Sequence, residues 1–84
     1  MVKMEILMSN YIASNLKVKQ FFEKEKLGFK FRYVEEDYSA YIDFMRCKAQ
    51  RLPVVIKDGF YIQSSNIKEI KSFINGKIKG EAFR

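Results

Sequence analysis

The chain has 84 residues, of which 48% are hydrophobic and 15% aromatic, with four glycines and one proline. This composition is typical of a globular domain and argues against disorder, and the length allows a single small core. One cysteine, Cys47, and no histidine exclude an internal disulfide, a paired-cysteine redox motif and the usual ligand sets of zinc. No stretch approaches the ~20 apolar residues of a membrane span, so no membrane association is predicted and we expect a cytoplasmic protein.

The charge balance is basic, with 16 Lys and Arg against 10 Asp and Glu and a net charge of +6. Such an excess favours acidic partners, nucleic acid among them. The basic residues alternate with acidic ones, as in residues 23–26, and only residues 77–84 are locally basic. This spacing is typical of solvated helix faces, so nucleic-acid binding is the less favoured alternative.

The first half of the chain predicts a strand, a helix and a second strand. A short apolar run over residues 2–8 is typical of a strand. Residues 14–27 have the apolar spacing of an amphipathic helix, whose N-cap is expected at Ser14 or a neighbour, with Gly28 placed to end it. Aromatic residues then alternate with basic ones over residues 29–33, the period of a strand.

The second half predicts a helix, a β-hairpin and a last helix. Acidic residues at 35–37 precede the clearest helical stripe of the chain, at positions 38, 41, 42 and 45. A β-branched run at 54–56 and an Asp58-Gly59 turn predict the hairpin. The last helix is expected to start near Asn66 and to end at Gly76, before a frayed basic tail over residues 77–84. The residues predicted to be buried are Val18, Phe22, Tyr38, Tyr41, Ile42, Met45, Ile70 and Ile74.

The predicted element order is β-α-β-α-β-β-α, an α/β arrangement in which the first two strands are parallel and the hairpin is antiparallel. With Leu52-Pro53-Val54-Val55 opening the third strand, this order resembles the thioredoxin fold in its glutaredoxin-like form over residues 1–76. Lys19 and the Gly28-Phe29-Lys30-Phe31 segment resemble the family as well. The resemblance implies a four-stranded mixed sheet with helices on both faces and a cis peptide bond before Pro53.

The redox motif of glutaredoxins would fall on residues 12–15 or, shifted by one, on residues 11–14, and neither segment contains a thiol. Thiol–disulfide exchange requires an attacking thiolate. Gln63-Ser64 replaces the glycine pair that approaches glutathione in the family, which disfavours glutathione binding, so no cofactor is predicted. Cys47 is interpreted as a structural residue, because no histidine is present to activate it.

These observations predict a redox-inactive glutaredoxin-like domain that binds a protein, a peptide or a small anion. A thiol–disulfide oxidoreductase that uses Cys47 is one alternative, and a nucleic-acid-associated protein is another. In the family, the residue before the proline offers its backbone to an extended peptide, which implies that role for Leu52. The start of the first helix is the expected anion site. The predicted binding residues are Tyr11, Ser14, Arg51, Leu52, Pro53, Ser64 and Ser65, and the sequence indicates no catalytic residue, metal ligand or oligomeric state.

Overall fold

The computed structural model describes residues 4–25, 29–47 and 51–83. In chain order its elements are β1 (Met4–Met8), α1 (Ala13–Glu25), β2 (Phe29–Tyr33), α2 (Tyr38–Arg46), β3 (Val54–Lys57), β4 (Phe60–Gln63), α3 (Ile67–Ile74) and β5 (Glu81–Ala82). The seven predicted elements occur in the predicted order, and one more strand follows α3. The roles expected for Val2 and Gly28 concern residues outside the described ranges.

The strands form one mixed sheet in the order β2-β1-β3-β4-β5. β1 pairs with β2 in parallel and with β3 antiparallel, so it is an interior strand next to the β2 edge. Asp58 and Gly59 close the β3–β4 hairpin with φ angles of 53° and 84°, the left-handed conformation that an Asp-Gly turn supplies. The described residues therefore form a five-stranded sheet, which corrects the four strands predicted.

β1 contributes to two cores because its side chains alternate between the faces of the sheet. On one face of the sheet, the β1 side chains that pack against α1 and α3 are Met4, Ile6 and Met8. The predicted burial of Val18, Phe22 and Ile70 in this core is confirmed, since each is 0% exposed. Ile74 is only partly buried in this cluster. The opposite face carries α2, so helices cover both sides of the sheet as predicted.

The predicted buried face of α2 is wrong. Tyr38, Tyr41 and Met45 are 77%, 45% and 55% exposed, and Ile42 is half-buried and outside both core clusters. The helix instead contacts the sheet through positions at the same helical spacing but rotated around the axis. These residues are Ala40, Phe44 and Cys47.

Arg32, on the α2 side of β2, accounts for this rotation. Its guanidinium lies 2.6 Å from Glu5 Oε1 on β1 and 2.8 Å from Asp43 Oδ2 on α2, and it donates to Ser39 Oγ at 2.7 Å. The Arg32 side chain is only 10% exposed, and these partners replace the hydration that its guanidinium loses on burial. Ser39 and Asp43 must therefore face β2, which turns Tyr38 and Met45 outward.

The tail predicted to be frayed is ordered over most of its length. β5 pairs with β4, and the Phe83 N–H donates to Gly59 O at 2.8 Å. Gly80 lies so close to β4 that a Cβ there would be 2.2 Å from Tyr61 O, a distance that no side chain tolerates. The chain can return to the sheet at this point only because residue 80 is a glycine.

Two matched substitutions test the corrected core. Replacing Ile70 with Ala removes a fully buried side chain and is expected to lower the free energy of unfolding by about 2–5 kcal/mol. The same replacement at Ile42 is expected to cost clearly less, because that side chain lies outside both clusters. Urea unfolding followed by circular dichroism measures both losses, with Ile70→Val as a milder variant if Ile70→Ala does not fold. Equal losses at the two positions would contradict this placement of α2.

Candidate functional site

Asn15 connects the two loops that meet at the start of α1. Its side chain is 3% exposed; Oδ1 accepts from the Ser9 N–H at 2.9 Å, and Nδ2 donates to Leu52 O at 3.4 Å. Asn15 is also the last residue of the segment where the resemblance places a redox motif. At this position the chain has a carboxamide that joins the β1–α1 loop to the loop before β3.

The β1–α1 loop is held by acidic residues that follow β2. Ser9 Oγ donates to Glu35 Oε2, and the Asn10 N–H donates to Glu35 Oε1 at 3.1 Å. Desolvation opposes ionisation of Glu35, but these hydrogen bonds outweigh it and lower the pKa of its carboxyl group. The Asn10 side chain donates to Glu36 Oε2 at 3.0 Å. Their position in the sequence predicts a role at the start of α2 for both glutamates, whereas in the structure they fix the loop that leads into α1.

Asp37 takes the capping role that the sequence indicates for residues 35–37. Its Oδ1 accepts from the backbone N–H groups of Ser39 and Ala40, at 2.9 and 3.3 Å, and from Ser39 Oγ. These hydrogen bonds, the one from Ser39 Oγ first, lower the pKa of Asp37 despite desolvation. An ionised carboxylate here stabilises the helix start through the unpaired N–H groups of its first turn.

The loop before β3 brings four of the predicted binding residues together. The Leu52–Pro53 peptide bond is cis, the isomer that the resemblance implies. Pro53 is buried, and its carbonyl accepts from the Ser64 N–H at 3.2 Å. The Arg51 N–H donates to Gln63 Oε1 at 3.2 Å, so the start of β3 and the end of β4 are joined on both sides of the proline.

The other three predicted residues are placed differently. Tyr11 is 85% exposed, and Ser14 and Ser65 are exposed as well. Because α1 begins at Ala13, Ser14 lies within the helix and is not its N-cap. Within the described ranges, no hydrogen bond joins the side chains of these three residues to the proline loop.

A cleft of about 220 Å³ opens beside the first turns of α1, and none of the predicted binding residues lines it. Its wall includes Ile12 and Leu16, which are 39% and 57% exposed, and Lys19 supplies a cation. The helical pattern places Lys19 on α1, but nothing in the sequence joins it to Tyr33 on β2. The signal available in the sequence was the pair Ile12 and Leu16, apolar residues at i and i+4 that stay exposed at the start of α1.

Cys47 lies outside this arrangement, and its surroundings do not favour thiol chemistry. It is 8% exposed in the core on the α2 side of the sheet, where its backbone carbonyl accepts from Tyr61 Oη at 2.8 Å. Burial, together with the nearby Asp43 carboxylate, raises the pKa of the thiol to about 11, and Arg46 offsets only part of that rise. The thiol is therefore protonated at neutral pH, whereas exchange chemistry needs the thiolate. The flanking Lys48 lies outside the described residues.

No protein-family model matches the chain, and no curated protein matches its sequence. The crystal structure of a single-substitution mutant of the thioredoxin-like protein BC3987 superposes with a TM-score of 0.79, covering 89% of this chain and 97% of that chain at 20% identity. The crystal structure of BC3987 itself gives a TM-score of 0.74, covering 82% of this chain and 96% of that chain at 17% identity. The chain therefore has a thioredoxin-like α/β fold.

Residues 4–25, 29–47 and 51–83 include no group of three or more histidine, cysteine, aspartate or glutamate side chains placed to hold a metal ion. None of their helices has the length and apolar character needed to cross a membrane.

Removing the Asn15 side chain tests its role in joining the two loops. Asn15→Ala leaves the buried Ser9 N–H without its acceptor and Leu52 O without its donor, and is expected to cost about 1–3 kcal/mol of folding free energy. Asn10→Ala is the matched control, because that exposed carboxamide bonds only at the surface. Urea unfolding compares the two, and a loss for Asn15→Ala no larger than the control would contradict the role assigned to it.

The pKa of Cys47 predicts how folding depends on pH. As pH rises through the ordinary range of a thiol, the unfolded chain loses its proton while the folded chain keeps it until about pH 11. The free energy of unfolding of the wild type should therefore fall more steeply across this window than that of Cys47→Ala. Reaction with Ellman's reagent at pH 7.5 should be slow for the folded protein and fast in urea. Fast reaction in the folded state would show that the thiol is accessible and ionised.

Proposed function

We propose that this chain is a glutaredoxin-like domain without redox activity, which holds an extended peptide segment of a protein partner at the loop before Pro53. The observation that carries the proposal is the state of the Leu52 backbone. Among residues 4–25, 29–47 and 51–83, the Leu52 carbonyl accepts only the 3.4 Å hydrogen bond from Asn15, and the Leu52 N–H has no acceptor. A carbonyl oxygen has two lone pairs, so both groups are available to pair with an extended backbone, as in strand addition.

Exposed side chains in the two loops that Asn15 joins supply what a peptide needs beyond backbone pairing. Tyr11 and Ile12 are exposed at the start of α1, to which Asn15 ties Leu52. An exposed tyrosine offers a large contact area at a low cost in side-chain entropy, which makes it a suitable anchor. Arg51 is exposed beside Leu52, and with the net charge of +6 it favours a peptide that carries acidic residues.

The same residues argue against thiol chemistry at this site. Ile12 and Tyr11, the two candidates for the nucleophile position, cannot form a mixed disulfide. Asn15 is buried and engaged in two hydrogen bonds. The single thiol of the chain lies in the core cluster on the α2 side of the sheet, whereas α1 packs on the other face. A glutathione-dependent reaction would have to use Cys47, which is only 8% exposed and lies on the other face of the sheet from α1.

Glutathione-coupled reduction of a small mixed disulfide tests the absence of redox activity. We expect no turnover above the uncatalysed rate, either for the wild type or for Cys47→Ser. Turnover that disappears in Cys47→Ser would make this residue catalytic and would refute the proposal. Turnover that survives the substitution would come from a contaminant, since the chain has no other thiol, and further purification should remove it.

Peptide selection from a random phage-displayed library tests the binding role. A selected peptide should shift the ¹⁵N–¹H resonances of Leu52 and Ser64 when added to the labelled protein. Tyr11→Ser should weaken its binding by at least about fivefold, the effect of losing an interface anchor. Tyr38→Ser is the matched control, because Tyr38 is 77% exposed but lies on α2. Equal effects of the two variants, or shifts confined to α2, would place the binding surface elsewhere.

A further inference from the structure

A second cleft, of about 310 Å³, lies at the other end of β3 from the proline loop. One side is the β3–β4 turn, with Lys57, Asp58 and Phe60, and the other is the chain that follows α3, with Ile78 and Lys79. Phe73 of α3 lines it as well. None of these residues belongs to the candidate site described above.

The return of the chain to β4 fixes the walls of this cleft. Gly80 packs directly on the Tyr61 carbonyl and on the Phe73 ring, so the chain cannot move closer to the sheet at this residue. The pairing of β5 with β4 and the hydrogen bond from the Phe83 N–H to Gly59 O, at 2.8 Å, hold the segment beyond it. The cleft is therefore bounded on both sides by hydrogen-bonded or closely packed backbone.

The lining combines an apolar floor with a cationic rim. Phe73 is 4% exposed and Phe60 is half-buried, while Ile78 is 38% exposed and closes one side. Lys79 Nζ lies 5.0 Å from the centroid of the Phe60 ring, which puts an ammonium group directly over the floor. Lys57 Nζ lies 3.2 Å from Asp58 Oδ2, so one of the two cations is already paired.

We propose that this cleft binds a compact organic carboxylate whose body is a single apolar ring or a short apolar chain. The apolar body would lie against Phe73 and Ile78, beside the Phe60 ring that Lys79 covers, and the carboxylate would lie between Lys57 and Lys79. The volume is at the lower end of the range for small-molecule sites, which favours a ligand of this size. The net charge of +6 raises the local concentration of anions.

A titration with 3-phenylpropionate, followed by ¹⁵N–¹H spectra of the labelled protein, tests the proposal. Saturable shifts are expected at the backbone amides of Gly76, Ile78 and Gly80. The neutral amide 3-phenylpropionamide should produce clearly weaker shifts, because it keeps the ring and lacks the charge. Shifts of equal size for both compounds, or none at the three amides at millimolar concentrations, would overturn the proposal.

Three conservative variants separate the contributions of the charges. Lys79→Gln should weaken 3-phenylpropionate binding by about two- to fivefold, the range of exposed ion pairs. Asp58→Asn should strengthen it, because it removes a negative charge and frees Lys57, and asparagine accepts the φ of 53° at this turn. Lys77→Gln is the control, since Lys77 belongs to the same segment but does not line the cleft. Weakening by Asp58→Asn, or equal effects of Lys79→Gln and Lys77→Gln, would contradict the assigned geometry.

The location of the shifts keeps this proposal distinct from peptide binding at Leu52. Shifts confined to Asn15, Leu52 and Ser64 would overturn the carboxylate cleft and would leave the peptide site standing. Loss of all peptide binding, with shifts retained at Gly76, Ile78 and Gly80, would do the reverse.

Discussion

The nearly buried guanidinium of Arg32 is the constraint on which the α2 side of the structure depends. The Arg32 side chain is only 10% exposed, so its charge needs partners inside the fold. Glu5 on the neighbouring interior strand β1 is one partner, with a side chain that is itself 44% exposed. Because Arg32 also bonds Ser39 and Asp43, it sets the rotation of α2. The packing of that face thus follows from one arginine on the strand beside β1.

Local periodicity was sufficient to predict seven of the elements and their order, since each of those strands and helices carries its own pattern of apolar residues. It failed at α2, where the apolar stripe of Tyr38, Tyr41 and Met45 is regular but the rotation is set by Arg32, a polar contact across elements. It also failed at the tail, because a strand of two residues has no periodicity. The signal there was Gly80, whose role depends on the nearness of the Tyr61 carbonyl and cannot be inferred from its neighbours in the chain.

The candidate site was predictable in part for the same reason. The Leu52-Pro53-Val54 segment and the hairpin after it are local patterns, and they located the proline loop. The roles of Asn15 and Glu35 in joining loops were not predicted, because such a role depends on which loops lie next to each other in the fold. Their roles are linked: Glu35 holds Ser9 and Asn10, and Ser9 presents its N–H to Asn15. The start of α1 is stabilised by amide and carboxylate hydrogen bonds at the place where a redox motif would stand.

The contacts of Arg32 also constrain how these positions can change in evolution. A lysine at position 32 could not serve Glu5, Asp43 and Ser39 together, because an ammonium group lacks the planar, branched arrangement of donors of a guanidinium. Loss of Arg32 would leave Glu5 and Asp43 without their cation in a partly buried setting. Evolutionary change at these positions is therefore expected to be concerted, so that relatives which lose the arginine also replace the carboxylates, and the face that α2 presents to solvent changes with them.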